Sequence, residues 1–251
     1  MDTLPSGRAD IHMHTRASDG MATARQVLDY VARRGHLDVI AITDHDMLDA
    51  SLWAYEQRAW YPFDVIPGVE ITAVEGHVLG LWVTQPIPKK MSVVETAAAI
   101  HEQGGIAILA HPGEILIAGR YFLRYLRQPQ VLLSWGIDGV EVFNAGTMTP
   151  GNNRIARKLG SQLPLPVVGN SDAHTLSAIG CGRTRFPGRS AADFRLALAR
   201  RQTAAEGASW PITDYLKLSP SSIRRKLNAS LETSMRLTHL NRFPAWPRSN
   251  E

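Results

Sequence analysis

The first residues that could do chemistry are two histidines two positions apart, in His12-Met-His14. On an extended strand, residues i and i+2 point to the same face, so both imidazoles can reach one ion. Asp19 follows in the loop Ala-Ser-Asp-Gly, and imidazole nitrogens beside a carboxylate suit zinc, manganese or iron. This spacing predicts a metal site close to the N-terminal end of the chain.

The same residue types recur at the ends of later apolar runs. The groups are Thr43-Asp44-His45-Asp46, Pro67-Gly-Val-Glu70, Gly76-His77-Val-Leu-Gly80, Ala110-His111-Pro112, Glu141-Val-Phe-Asn144 and Ser171-Asp172-Ala-His174. Buried imidazoles and carboxylates are costly unless they are satisfied, so packing alone does not explain the repetition. So many ligands exceed the needs of one ion, which predicts two or three metals, with Glu70 suited to bridge two of them. Metals about 3.5–4 Å apart are typical of phosphoester hydrolysis.

The elements that must position these residues are short apolar runs alternating with helical patterns. We predict strands over 9–15, 38–43, 64–72, 77–83, 106–110, 139–143 and 166–169, and helices over 23–34, 48–60, 92–103, 152–159 and 190–200. Such alternation favours a mainly parallel sheet, closed or open. In these folds, polar groups for chemistry collect just after the carboxyl ends of the strands.

The ordered set of motifs resembles the PHP (polymerase and histidinol phosphatase) family, in its stand-alone metal-dependent phosphoesterase branch. The resemblance covers roughly residues 9–205 and rests on His12-Met-His14, Ala17-Ser-Asp-Gly20, Ile42-Thr-Asp-His-Asp46, Pro67-Gly-Val-Glu-Ile71, His77-Val-Leu-Gly80, Ala110-His-Pro112 and Gly169-Asn-Ser-Asp-Ala-His174. It implies an α/β fold, a distorted (β/α)7 barrel of the PHP type. Relatives of the nucleotide-phosphatase branch carry a long helical insertion over the site, but residues 81–110 leave room only for a small cap or none.

The resemblance also implies a trinuclear site and assigns its ligands. One metal takes His12, His14, Glu70 and Asp172. A second takes Glu70 and His111, with His77 as a further candidate. The third takes Asp19, His45 and His174. His77 could instead form a hydrogen bond with the substrate phosphate. The expected cofactors are therefore two or three divalent ions, Mn, Fe or Zn, and metal availability decides among them.

The chemistry expected of such a site is hydrolysis of a phosphate ester, because a bound metal lowers the pKa of its water from 15.7 towards about 7 and the resulting hydroxide can attack phosphorus. Asp44, Asp46 and His77 are the candidates to act on the leaving group. Arg183, Asn144 and Arg154 are the candidate substrate contacts. The guanidinium geometry matches phosphate, while a solvated surface arginine is the alternative role for Arg183 and Arg154.

Charge separates the chain into a body at 8–209 and a basic extension at 210–251, with Trp210-Pro211 at the boundary. The 251 residues carry a formal charge of +4, and seven of the 27 basic but only three of the 23 acidic residues lie in the extension. The body is balanced, so nucleic acid is possible but not indicated, and a small-molecule phosphate ester is the expected substrate. The extension, with Arg224-Arg-Lys226, Phe243 and Trp246, could pack on the barrel, meet a partner or contact an anionic surface.

The chain lacks an apolar run long enough to cross a bilayer and an N-terminal apolar stretch, which predicts a cytoplasmic protein without a transmembrane segment. Two other functions stay open. An amidohydrolase-type metal hydrolase would open with His-x-His and often bridges its metals with a carboxylated lysine, but none of the five lysines follows a predicted strand. A non-catalytic metal-bound scaffold could act through the extension, although its ligand set would not need to be complete.

Overall fold

The computed structural model describes residues 6–114, 121–149 and 151–217. Ten strands lie within these ranges: β1 (Ser6–Asp10), β2 (Val39–Ile40), β3 (Asp64–Val65), β4 (Gly68–Thr72), β5 (His77–Leu81), β6 (Ile106–Leu109), β7 (Gly139–Asn144), β8 (Val167–Asn170), β9 (Gly182–Pro187) and β10 (Ala204–Gly207). They form two five-stranded sheets, in the orders β10-β9-β1-β2-β3 and β4-β5-β6-β7-β8.

The helices of the described ranges separate these strands. They are α1 (Ala24–Arg34), α2 (Asp49–Gln57), α3 (Val93–Glu102), α4 (Tyr121–Arg127), α5 (Val131–Ser134), α6 (Asn152–Gly160), α7 (Ala191–Ala199) and α8 (Ile212–Lys217). Local sequence explains where several begin. Thr23, Ser92 and Ser190 each cap a helix through a capping box with the residue three positions later. Gly35, in a left-handed conformation, ends α1.

The fold is mixed α/β, as predicted, but the sheets are less parallel than the sequence suggested. Strands β1-β2-β3 and β6-β7-β8 pair in parallel, whereas β5 is antiparallel to both of its neighbours and β9 is antiparallel to β1 and β10. The reversal of β5 has a consequence for the site: Thr72 pairs with His77, so the start of β5 meets the end of β4.

The ladders of the described residues do not close into one continuous barrel. Two isolated parallel bridges instead join the sheets, Met13 with Ala173 and His45 with Glu70. Strands of both sheets contribute to one buried apolar cluster that includes Ile11, Leu79, Ile108 and Val168. The sheets therefore share a core, and the bridges lie among the residues that the sequence singled out for chemistry.

The fold also bears on two expectations, the small or absent cap between β5 and β6 and the extension after residue 210. The interval between β5 and β6 holds α3, which packs on the same buried cluster as Val78 and Ala107, so it carries no large cap. Residues 210–217 are the start of the predicted extension. They include the buried Trp210 and the helix α8. The remainder of that extension, including Arg224-Arg-Lys226, Phe243 and Trp246, lies outside the described residues. No helix within the described ranges combines the length and apolar character needed to span a membrane.

Candidate metal centre

Six histidines converge at one end of the strands. His12 and His14 follow β1, His45 follows β2, His77 opens β5, His111 follows β6 and His174 follows β8. Ring centroids lie 4.3 Å apart for His14 and His174 and 4.6 Å apart for His14 and His45. With Asp19, Glu70 and Asp172 they form four groups of donor atoms able to hold a metal: His14-Asp19-His45-His174, His12-His14-Glu70, His12-His111-Asp172 and His45-Glu70-His77.

Glu70 lies at the middle of these groups and its two carboxylate oxygens face different imidazoles. Its Oε1 is 2.8 Å from His77 Nδ1 and 2.9 Å from His111 Nε2. Its Oε2 is 3.1 Å from His45 Nδ1, 3.2 Å from His12 Nε2 and 3.3 Å from His14 Nε2. The carboxylate is 1% exposed. This division of its two oxygens is the arrangement that a bridging carboxylate requires.

A separate group forms around Asp19. Its Oδ2 is 3.1 Å from His174 Nε2 and 3.8 Å from His45 Nε2, and its Oδ1 is 3.7 Å from His14 Nδ1. His174 Nδ1 is 2.8 Å from the carbonyl oxygen of Asp172, so the ring directs Nε2 towards Asp19. The three residues that the resemblance assigned to a third metal therefore lie together, with His14 beside them.

Glu141, which belongs to none of these groups, contacts two of their histidines. Glu141 is fully buried in β7, and its Oε1 is 3.0 Å from His12 Nδ1 while its Oε2 accepts the His111 backbone N–H at 2.7 Å. Asn170 and Asn144 also donate to this carboxylate, at 2.8 and 3.1 Å. The sequence analysis named Glu141 at the end of a predicted strand but gave it no role. Side-chain alternation along β7 was the signal that could have identified it as a residue of the centre. Partners of this kind fix the tautomer and direction of ligating histidines.

Burial and neighbouring charge act in opposite directions on the ionisation of these groups. Burial lowers the pKa of His12, but the Glu70, Asp172 and Glu141 carboxylates outweigh it and raise that pKa well above its usual value. The pKa values of His14 and His111 are raised for the same reasons. Desolvation lowers the pKa of His45 to about 3, which favours a neutral, ligating ring. Burial raises the pKa of Glu70, yet the surrounding imidazoles hold it well below its usual range.

The donor atoms fit a metal. His12 Nε2, His14 Nε2 and Glu70 Oε2 are buried and lack a well-formed hydrogen bond among the described residues. A buried polar atom without a partner is costly, and native structures rarely leave several together. Imidazole nitrogen and carboxylate oxygen are the ligands of divalent transition metals, so coordination would satisfy these atoms.

Comparison with other proteins places this arrangement in a family. The PHP-associated family model matches residues 150–203. Uncharacterized protein MJ1587 of Methanocaldococcus jannaschii is 32% identical over 172 residues, which are 62% of this chain and 94% of that protein. A two-domain protein from Bacteroides vulgatus, containing a predicted PHP-like metal-dependent phosphoesterase, has the same fold at a TM-score of 0.63 and 22% identity, over 83% of this chain and 66% of that one.

The chain belongs to the PHP family. A shorter match links it to a named enzyme, the 5'-3' exoribonuclease Rnm of Salmonella typhimurium, with 41% identity over 78 residues. That match covers 29% of this chain and 26% of the enzyme, so it concerns a segment only.

Asp44, a candidate to act on the leaving group, is engaged by several hydrogen-bond donors. Its carboxylate accepts hydrogen bonds from the Thr15 backbone N–H at 2.7 Å, the Thr15 hydroxyl at 2.6 Å and the Ser18 hydroxyl at 2.5 Å, and it is fully buried. These bonds hold the loop that carries Asp19. Asp44 therefore supports the loop of Asp19, and its role at the leaving group stays a prediction. Asp46 is partly exposed beside His45, accepts the Thr72 N–H at 2.8 Å and lies 4.0 Å from Lys89 Nζ.

The three candidate substrate contacts are dispersed. Asn144 is buried, and its side-chain amide donates to Glu141 and, at 3.2 Å, to Asp172. This placement supports two residues of the centre, and a contact with substrate stays a prediction. Arg183 pairs with Glu206 of the adjacent strand at 2.8 Å. Arg154 is exposed on α6. Neither arginine belongs to the clustered residues.

Backbone strain marks the same region. Six non-glycine residues of the described ranges have positive φ, and three of them are Asp46 (55°), His111 (26°) and Asp172 (50°). Left-handed conformations are unfavourable for these residue types and persist where surrounding contacts impose them, commonly at functional sites. No pattern in the sequence announces this feature.

Proposed function

We propose that this protein is a metal-dependent phosphoesterase that hydrolyses a phosphomonoester or phosphodiester of a nucleotide or another small metabolite at a di- or trinuclear site. The observation that carries the proposal is Glu70, whose two oxygens face separate sets of imidazoles, with a further group around Asp19. Adjacent metals suit in-line displacement at phosphorus because both the attacking and the leaving oxygen need charge stabilisation.

The residues proposed to hold the metals are the sets that the resemblance assigned, and they recombine the four groups of donor atoms. His12, His14, Glu70 and Asp172 would hold one ion, Glu70, His111 and His77 a second, and Asp19, His45 and His174 a third. When bound, divalent ions lower the pKa of a coordinated water and neutralise charge on the phosphate oxygens. The ions are Mn, Fe or Zn, since imidazole and carboxylate accept all three.

The protein's own residues supply positioning and proton transfer. Glu141 orients His12, and Asn144 holds Asp172, so these ligands present fixed directions. Asp44 fixes the loop of Asp19 through three hydrogen bonds. Asp46 and His77 are the other candidates to donate a proton to the leaving oxygen. His77 Nδ1 is engaged with Glu70, whereas Asp46 is partly exposed, so we favour Asp46.

The barrel expected from the family forms part of the proposal. The bridges Met13–Ala173 and His45–Glu70 join the two sheets, which supports a distorted and incompletely paired barrel wall around the shared core. A cytoplasmic location, the division at residue 210 and a role of the extension in contacting a partner or an anionic surface stay predictions.

Metal analysis followed by a phosphate-release assay tests the function. The purified protein is loaded with Mn, Fe or Zn, its metal content is measured, and nucleotides, sugar phosphates, histidinol phosphate and short phosphodiesters are screened. We expect two or three metals per chain and metal-dependent release that Glu70→Gln abolishes, while Glu206→Gln, a glutamate outside the centre, leaves release unchanged. A fully loaded protein that cleaves no phosphate ester, or that hydrolyses amides instead, would overturn the proposal.

A further inference from the structure

The segment 208–217, here called the strap, crosses the ends of β7 and β8 after the last strand. The Ala208 N–H donates to the Cys181 carbonyl at 2.8 Å, and the Trp210 N–H donates to the Ala145 carbonyl at 3.0 Å. The Tyr215 hydroxyl lies 3.3 Å from the same Ala145 carbonyl. The strap therefore starts after β10 beside Cys181, the residue before β9, and is fixed to the residues that follow β7.

The strap also holds the loop that carries two proposed metal ligands. Trp210 is 4% exposed, and its indole Nε1–H donates to the Ser171 carbonyl at 2.6 Å. Asp214 accepts the Ser177 hydroxyl at 2.5 Å. Ser171 and Ser177 flank Asp172 and His174 in the sequence, so the strap fixes this ligand loop on both sides.

Little space remains for the indole to move. Its ring centroid lies 5.8 Å from that of His174 and 5.1 Å from that of Tyr215. A Cβ atom added at Gly146 would lie 2.5 Å from Trp210 Cζ2, so only glycine admits the ring at this position. Trp210 is therefore wedged between the end of β7 and the ligand loop.

The backbone of this loop decides where His174 points. His174 Nδ1 is bound to the carbonyl of Asp172, and Asp172 has the unfavourable φ of 50°. A strained backbone keeps its conformation only while neighbouring contacts impose it. Among the described residues, Trp210 supplies such a contact at Ser171, directly before the strained residue.

We propose that Trp210 is a positioning residue for the Asp19-His45-His174 group, so that the strap sets the occupancy of one metal in particular. The inference rests on the proposed metal centre. His12, Glu70 and His111 lie on other strand ends, and Glu141 supports two of them independently of the strap. Asp172, the other ligand on this loop, has its carboxylate held by the Asn144 amide as well, which the strap does not supply. Loss of the indole should therefore weaken one metal and spare the others.

Two variants disturb the packing of Trp210, one at the indole itself and one at Gly146, which it contacts. Trp210→Phe keeps an aromatic ring but removes the donor to Ser171, and Gly146→Ala pushes against the intact indole. We expect each to weaken the binding of one metal per chain by about 10–100-fold, the usual cost of losing an outer partner of a ligand. Trp60→Ala is the matched control, because Trp60 is 83% exposed on the short helical turn Arg58–Trp60. Metal content is measured in metal-buffered solutions, and circular dichroism checks the fold.

A double-mutant cycle tests whether the metal lost in Trp210→Phe is the one bound by the Asp19-His45-His174 group. Asp19→Ala removes a ligand of the same group, so Trp210→Phe should add no further loss of metal in that background. Three outcomes would each overturn the inference. The first is an equal additional loss of metal when Trp210→Phe is added to Asp19→Ala. The others are unchanged metal affinities in folded Trp210→Phe and Gly146→Ala, and a weakening of all metals together. If Trp210→Phe does not fold, the folded Gly146→Ala variant decides by the same criteria. A wild-type protein that binds no metal would instead refute the proposed function, so the two failures are distinguishable.

Discussion

Glu141 Oε1 lies 3.0 Å from His12 Nδ1, with both side chains fully buried. Because the carboxylate can only accept, the Nδ1 atom must carry the proton and Nε2 is left to bind a metal. We expect Glu141→Ala to weaken metal binding about 10–100-fold, measured by competition with a chelating dye. Glu206→Ala should have no such effect, since Glu206 pairs with Arg183 on the sheet surface. Equal metal affinities in the two variants would contradict the role of Glu141.

The hydrogen bonds of Asp44 lead to a prediction that separates support from catalysis. Asp44→Ala removes the acceptor of the Thr15 amide and of the Thr15 hydroxyl, which are buried. Each unsatisfied donor costs about 1–3 kcal/mol, so we expect a clear fall in the free energy of unfolding, measured by urea denaturation, and weaker metal binding near Asp19. A leaving-group acid would behave differently: the variant would keep its stability and metals and lose only kcat.

The raised pKa values of the buried histidines predict how stability depends on pH. In the metal-free protein the pKa of His12 is well above its usual value, and those of His14 and His111 are raised. The stabilisation that comes from these protons is complete below about pH 6.5, the unfolded value, and is lost as pH rises through the folded values. The midpoint temperature of unfolding of chelator-treated protein should therefore fall as the pH rises above about 6.5.

Metal loading should reverse this dependence, because ligands must give up their protons to bind. The metal-loaded protein should gain midpoint temperature over the same range, and calorimetry in buffers of different ionisation enthalpy should detect proton release on binding. The measurement is differential scanning fluorimetry with chelator and with Mn. A chelator-treated protein whose midpoint rises with pH would contradict the assigned direction.

The ion pair of Arg183 gives a prediction about substrate binding. Its guanidinium is held by Glu206 on the β9–β10 ladder, so we expect Arg183→Ala to leave KM for the best phosphate ester unchanged. The variant should lose at most about 1 kcal/mol of stability, as surface pairs do. Arg154→Ala, at an exposed position of α6, tests the second predicted contact in the same assay. A rise in KM of tenfold or more for either variant would restore that arginine as a substrate ligand.

The sequence predicted which residues cluster better than it predicted the contacts around them, and the reason is physical. His12 and His14 were identified because alternation on an extended segment places both rings on one face, even though they lie beyond the end of β1. The half-exposed strand β9 was missed because Arg183, Thr184 and Arg185 are all polar and form no apolar run. Only the structure shows that Thr184 faces inward while the two arginines face outward. Contacts such as Trp210 with Ser171 join residues 39 positions apart, and no local pattern encodes them.

Asp46 provides the sharpest test of the chemical step. It lies next to His45, and Asn at this position can still accept the Thr72 N–H, so Asp46→Asn should keep the fold and the metals. A leaving group that departs as an alkoxide needs a proton, whereas nitrophenolate does not. We therefore expect kcat for an alkyl phosphate to fall about 100-fold or more, the usual contribution of general acid catalysis, while kcat for nitrophenyl phosphate changes little. His77→Gln is assayed in parallel. Equal losses on both substrates for Asp46→Asn would exclude Asp46 as the acid. A selective loss on the alkyl phosphate in His77→Gln alone would assign the role to His77.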